Sequence, residues 1–169
     1  AILLGAPWLL EGRLYNAALL LTRGQVKVAA LKMCLPNTGV FDEHRLFQPG
    51  LPQPPVDAGG FRLGVLICED LWSPPASAAL AMQGAQVLVA LNASPYEMDK
   101  PRRRLEQAAA RVRETGLPLL YVNLCGGQDE IVYDGRSFAL DAGGREAFRL
   151  PAWQPGGAVK TFNGQWAAE

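Results

Sequence analysis

Short apolar runs, broken by turn residues, dominate the chain. Ala1–Pro7 predicts a short buried strand. Leu14–Thr22 (LYNAALLLT) predicts a second, ended by the turn residues Arg23–Gly24, and Val26–Lys32 a third, so this stretch reads as a hairpin. Phe61–Cys68 (FRLGVLIC) predicts a strand whose continuous apolar end suits a sheet covered on both faces. Val87–Asn92 and Leu119–Leu124 read the same way, and Ser137–Leu140 predicts another strand before a turn at Asp141–Gly144. Two segments predict helices. One is the Ala-rich Ser77–Gln83. The other starts at Pro101 and runs to about Glu114, with Asp99 placed to cap it and Gly116 to close it. Leu35–Pro55 holds repeated Pro, Gly and Asn and few periodic apolar residues, which predicts a long loop of the kind that usually serves function. Residues 151–169 carry little pattern and read as a connector or docking tail. Strands alternating with helices after an initial hairpin predict a mixed α/β chain with helix-covered sheet faces.

Composition narrows the function classes. At 169 residues the chain is long enough to bury a core. Lys and Arg number 16 and Asp and Glu 16, so the net charge is zero, which argues against nucleic acid or an anionic membrane surface as the partner. No window approaches the roughly 18 consecutive apolar residues that a spanning helix needs. The cysteines number three, an odd count that suits free thiols in a reducing, cytoplasmic setting. Arg102–Arg104, Arg111 and Arg113 share the second helix with Glu106 and Glu114, which predicts a solvated charged face.

Candidate chemistry concentrates at three places. Cys68, in GVLICEDLW, sits where an apolar strand meets acidic residues, and in open α/β sheets binding groups gather at the carboxyl ends of strands. A thiol there serves as a nucleophile if a neighbour takes its proton or lowers its pKa, with the following backbone N–H groups available to an oxyanion. The alternative is a buried structural cysteine, the reading that suits Cys34 and Cys125 better. Lys32 ends an apolar strand just before the Pro/Asn/Gly loop. If it points inward, its ammonium needs a carboxylate, for which Glu43 and Asp42 are the candidates; otherwise it snorkels to water. Val122–Asp141 (VNLCGGQDEIVYDGRSFALD) is unusually polar, and by composition reads as a loop between strands. With one His and unpaired Cys spacing, no metal site is expected.

Taken together, Lys32 with LPNTGVFDEHRLFQPG, then GVLICEDLW, NASPY and NLCGGQDEIVYDGRSF resemble the carbon–nitrogen hydrolase (nitrilase) superfamily. The GGQDE segment is most similar to the glutaminase domains of glutamine-dependent NAD+ synthetases. The resemblance covers Ala1 to about Gly144. It implies a partial α-β-β-α sandwich with mixed sheets over residues 1–150, followed by the 151–169 tail. It also implies a Glu–Lys–Cys triad, in which Cys68 attacks the side-chain amide of glutamine and Lys32 holds positive charge beside the oxyanion. Glu69 and Trp72 would face the bound glutamine, Phe41 and Ser94 would line the same pocket, and Glu43 would orient Lys32. Thr38 stands where such domains often have Tyr. The triad's Glu belongs to a segment upstream of Ala1, so the resemblance implies that this chain alone has little glutaminase activity. No cofactor is implied for the part present; ATP and Mg2+ belong to a synthetase domain that would accept the ammonia. Self-association is implied by the same likeness. Two other readings stay open: a stand-alone amidase for another amide or nitrile, and a non-catalytic assembly module.

Overall fold

The structure is a computed structural model that describes residues 1–166; the last three residues of the expected tail lie outside the described residues. The predicted opening hairpin is a three-stranded antiparallel sheet: β1 (Ile2–Leu10), β2 (Arg13–Thr22) and β3 (Gln25–Leu31). β1 runs three residues past the predicted Pro7, because Leu9 and Leu10 still find partners in Leu14 and Arg13 before the chain turns. The second sheet has six strands in the order β11-β10-β7-β6-β5-β4. Its centre is the parallel run of β5 (Phe61–Ile67), β6 (Val87–Asn92) and β7 (Leu119–Asn123). The flanking strands β4 (Val56–Ala58), β10 (Phe138–Leu140) and β11 (Glu146–Arg149) pair antiparallel. The crossovers carry α1 (Pro74–Met82) and α2 (Lys100–Thr115).

Alternation along the strands builds the layers. Val65 and Ile67 of β5 face Ala18, Leu20 and Ala30 of the first sheet and form the core between the sheets. Leu66 points the other way, joining Leu88, Leu119 and Tyr121 beneath Ala108 and Val112 of α2. The result is a mixed α/β sandwich of helix, sheet and sheet, and among the described residues no helix is long and apolar enough to cross a membrane.

Several sequence expectations need correcting. α1 begins at Pro74 rather than Ser77, since proline is well suited to a first helical turn. Asp99 flanks α2 without a capping bond from its side chain, whereas Gly116 closes the helix at φ 69° as expected. The face of α2 is not wholly solvated, since Arg104 and Arg111 are buried. The polar segment read as a loop is a self-paired hairpin, β8 (Cys125–Gln128) and β9 (Ile131–Asp134). Its glycines hide the strand from a propensity reading.

The long loop, irregular apart from a single turn at Glu43–Arg45, is tied back to the first sheet. Gln48 N–H donates to Leu14 O and Gly50 N–H to Lys32 O, both at 2.8 Å. At Gly50 a Cβ would lie 2.4 Å from Leu31 Cβ and 2.5 Å from its carbonyl oxygen. Gly50→Ala is therefore expected to destabilise the chain by about 1–3 kcal/mol, the usual cost of overpacking. Urea unfolding checks this, and an unchanged midpoint would contradict it.

Candidate active site

The carboxyl ends of β5 and β6 and the start of the long loop meet at one cleft of about 920 Å3. Cys68, Lys32, Glu43 and Phe41 all line it. Cys68 is not the last strand residue but the first of a tight 3₁₀ turn, Cys68–Trp72, and its φ is +48°. A non-glycine residue in that region is strained and needs surrounding structure to hold it. The turn aims the thiol into the cleft at the end of β5.

Lys32 directly follows β3 and reaches into the same cleft. It is 1% exposed, and its Nζ lies 2.5 Å from Glu43 Oε1. The ammonium has thus found the carboxylate its burial demands. Asn16 Nδ2 donates to Glu43 Oε2 at 3.5 Å. Asp42, the other candidate, pairs with Arg45 on the surface instead.

Charge and burial oppose each other at the thiol. Burial pushes the Cys68 pKa above the ordinary thiol value and the Lys32 charge pulls it down, while Glu69, Glu43 and Asp70 add to the rise. The balance is upward, so Cys68 holds its proton at neutral pH and its attack needs a base. Asp70 is buried beneath the turn. Its Oδ1 accepts the N–H groups of Met33 at 3.0 Å and Cys34 at 2.8 Å, and its Oδ2 accepts that of Ile67 at 3.2 Å. Burial raises the Asp70 pKa, against the opposing pull of these three amides and Lys32.

A second hollow of about 430 Å3, the mouth, adjoins the cleft at Phe41, which lines both. Glu69 and Trp72 line it, as does Thr38. Lys100 and Arg103 line it too, and both lie over the Trp72 ring, at 5.8 and 5.4 Å from its centroid. The sequence expectations do not place these two cations at the site: Lys100 begins α2 one residue before the predicted start at Pro101, and Arg103 reads as part of a solvated helix face.

Ser94 lines neither hollow. It is buried and held from two sides. Its hydroxyl accepts from Arg104 Nε at 3.1 Å, its carbonyl from Arg104 at 2.7 Å, and its N–H donates to Asn123 Oδ1 at 3.0 Å. Cys125, read as structural, lines the main cleft with Cys68, and all three cysteines are free. The tail contributes as well. Pro155 and Gly156 line the cleft, and Trp153 packs edge-on against Tyr96 at 4.8 Å. Among the described residues no three His, Cys, Asp or Glu side chains cluster to hold a metal ion.

Cys68 at its strand-to-turn junction and the buried Lys32–Glu43 pair thus line one cleft of an α/β sandwich. The chain belongs to the carbon–nitrogen hydrolase family, whose model matches residues 1–165. A glutamine-dependent NAD+ synthetase of Rhodobacter capsulatus is 47% identical over 154 residues, covering 91% of this chain and 28% of that protein. The chain thus spans under a third of the length of this curated relative. A glutamine-dependent NAD+ synthetase of Acinetobacter baumannii, solved with ADP, superposes with a TM-score of 0.85 at 38% identity over 90% of this chain and 29% of that one. A variant of an amidase from Nesterenkonia sp. AN1, solved with acrylamide added at its active-site cysteine, gives a TM-score of 0.71 at 28% identity, covering 87% of this chain and 57% of that one.

Proposed function

We propose that this chain is part of a glutaminase in which Cys68 is the nucleophile. The observation that carries the reading is the convergence of Cys68 and the buried Lys32–Glu43 pair on one cleft. At the mouth Glu69 and Lys100 offer opposite charges, which suits an α-amino acid: Glu69 for its ammonium, Lys100 for its carboxylate. Trp72 and Phe41 would confine the methylene chain between them.

In the first half-reaction the Sγ–C bond forms while a base takes the thiol proton. The developing oxyanion is held by Lys32 and the backbone N–H after Cys68. The C–N bond then breaks, the proton passes to the departing nitrogen, and ammonia leaves a glutamyl thioester. Water then attacks the thioester, releasing glutamate and regenerating the thiol. Glu43 is the one carboxylate lining the main cleft among the described residues, and it is committed to Lys32. The likeness to carbon–nitrogen hydrolases implies a Glu as the proton relay, a role that the pairing of Glu43 with Lys32 does not leave open to it, and these 169 residues by themselves are expected to turn glutamine over slowly. The likeness to glutamine-dependent NAD+ synthetases supports a synthetase domain as the ammonia acceptor, and the reading extends to ATP and Mg2+ acting in that domain, a cytoplasmic setting and self-association.

The test is covalent. A glutamine-shaped chloroketone is expected to label Cys68, as located by peptide mass mapping, and glutamine is expected to protect it. Labelling confined to Cys34 or Cys125 would overturn the assignment. Equal protection by simple amides would favour an amidase of another specificity.

A further inference from the structure

We propose that Asp70 is a positioning residue that sets the register between the nucleophile and its cation. The inference rests on the reading of Cys68 and Lys32 given above and adds a third group to it. Asp70 does not itself line the main cleft, and none of its hydrogen bonds goes to Lys32 or to the Cys68 thiol. Its two oxygens divide their work between the strands instead. Oδ1 takes the amides of Met33 and Cys34, the first residues after Lys32. Oδ2 takes the amide of Ile67, the residue before Cys68.

These amides belong to the ends of different sheets: Met33 and Cys34 follow β3 closely, and Ile67 ends β5. β3 and β5 are not hydrogen-bonded neighbours, and the packing between the sheets is apolar and non-directional. Apolar contact alone leaves the two sheets free to slide by fractions of an ångström. A charge-assisted bridge fixes them, since such bonds are short and directional. Asp70 is 2% exposed, so the bridge is not diluted by solvent. The same carboxylate holds the strained turn, as it accepts from the residue that enters it. A buried carboxylate whose charge also disfavours the thiolate is a poor choice for the site unless it does something else, and the bridge is that function.

The two roles predict opposite signs. If Asp70 mattered only as a nearby negative charge, Asp70→Asn would ease thiolate formation and speed alkylation of Cys68. As a bridge, Asp70→Asn keeps one oxygen for Met33 and Cys34 but turns an NH2 group towards the Ile67 N–H, so the link to Cys68 is cut. Alkylation of Cys68 by iodoacetamide in the whole chain, followed by peptide mapping across pH, separates the two. The bridge predicts a rate at neutral pH about tenfold lower, equivalent to one pKa unit upward. It also predicts that Lys32→Met adds little once Asp70→Asn is in place.

A faster rate, or a lowered melting temperature with an unmoved pH profile, would overturn the proposal. If Asp70→Asn does not fold, Asp70→Glu keeps the charge and lengthens the bridge by one methylene. A slowed rate in that variant supports the bridge, and an unchanged one overturns it. Failure of the underlying site reading would show separately, as a wild-type Cys68 profile indifferent to Lys32→Met.

Discussion

Lys32→Met is expected to move the alkylation profile of Cys68 to higher pH and to lower amide turnover by about 10²–10³-fold, the usual cost of losing one oxyanion partner. Lys32 is the influence that pulls the Cys68 pKa down, against burial and the charges of Glu69, Glu43 and Asp70. Without it every remaining influence points upward, so less thiolate is present at any given pH. The sign holds for stability too. A thiol whose folded pKa lies above its unfolded value stabilises the fold below the unfolded pKa, and that contribution is lost as pH rises through the folded one. The alkaline loss of stability begins near the ordinary thiol range and extends further in the variant.

The variant also strands Glu43, which is 15% exposed and loses its partner. Removing one member of a buried pair costs about 3–5 kcal/mol, and partial exposure places this case near the lower end. Peptide-mapped alkylation and urea unfolding measure the two effects independently. An unmoved pH profile would mean that Lys32 does not act on the thiol.

What could be read from the sequence was the local chemistry. Cys68 announced itself by ending an apolar strand before acids, and Lys32 by ending another before a loop, because both signals lie within a few adjacent residues. Glu43 could be found because a buried cation requires an anion and only two carboxylates stood near in the loop. Groups whose roles depend on distant partners could not be found. Arg104 looks like its exposed neighbours Arg102 and Arg103 until Asp134, thirty residues on, is folded beneath α2. Asp70 is one of two adjacent acids, and only the position of Met33 and Cys34 tells it from Glu69, which faces the mouth. That Ser94 is tied to Arg104 was hidden for the same reason, since its hydroxyl accepts from another element. The β8–β9 hairpin was missed because it pairs only with itself and is rich in glycine, so no apolar alternation marks it.

Arg104→Met is expected to be the most destabilising single change outside the cleft. Arg104 is 2% exposed and Asp134 fully buried, with Arg104 Nη1 at 2.6 Å from Asp134 Oδ1. The same guanidinium donates to Ser94 O and Pro95 O at 2.7 and 2.9 Å. One side chain thus joins the loop after β6 to the end of β9, and both contribute to the mouth: Pro95 and Tyr96 from the loop, Ile131 and Val132 from the hairpin. A methionine fills most of the volume but leaves two carbonyls without their donor and the buried carboxylate with only the longer pairing to Arg136 Nε, 3.6 Å from Oδ2. The expected loss is about 3–5 kcal/mol, or roughly 6–20 °C in melting temperature for a chain of this size. Because replacing a whole buried pair with apolar groups is often neutral, Arg104→Met with Asp134→Leu is expected to recover part of the loss. Thermal unfolding of the single and double variants decides it: a single variant within about 1 kcal/mol of the parent, the worth of an exposed pair, would show that the guanidinium does not hold the two walls together.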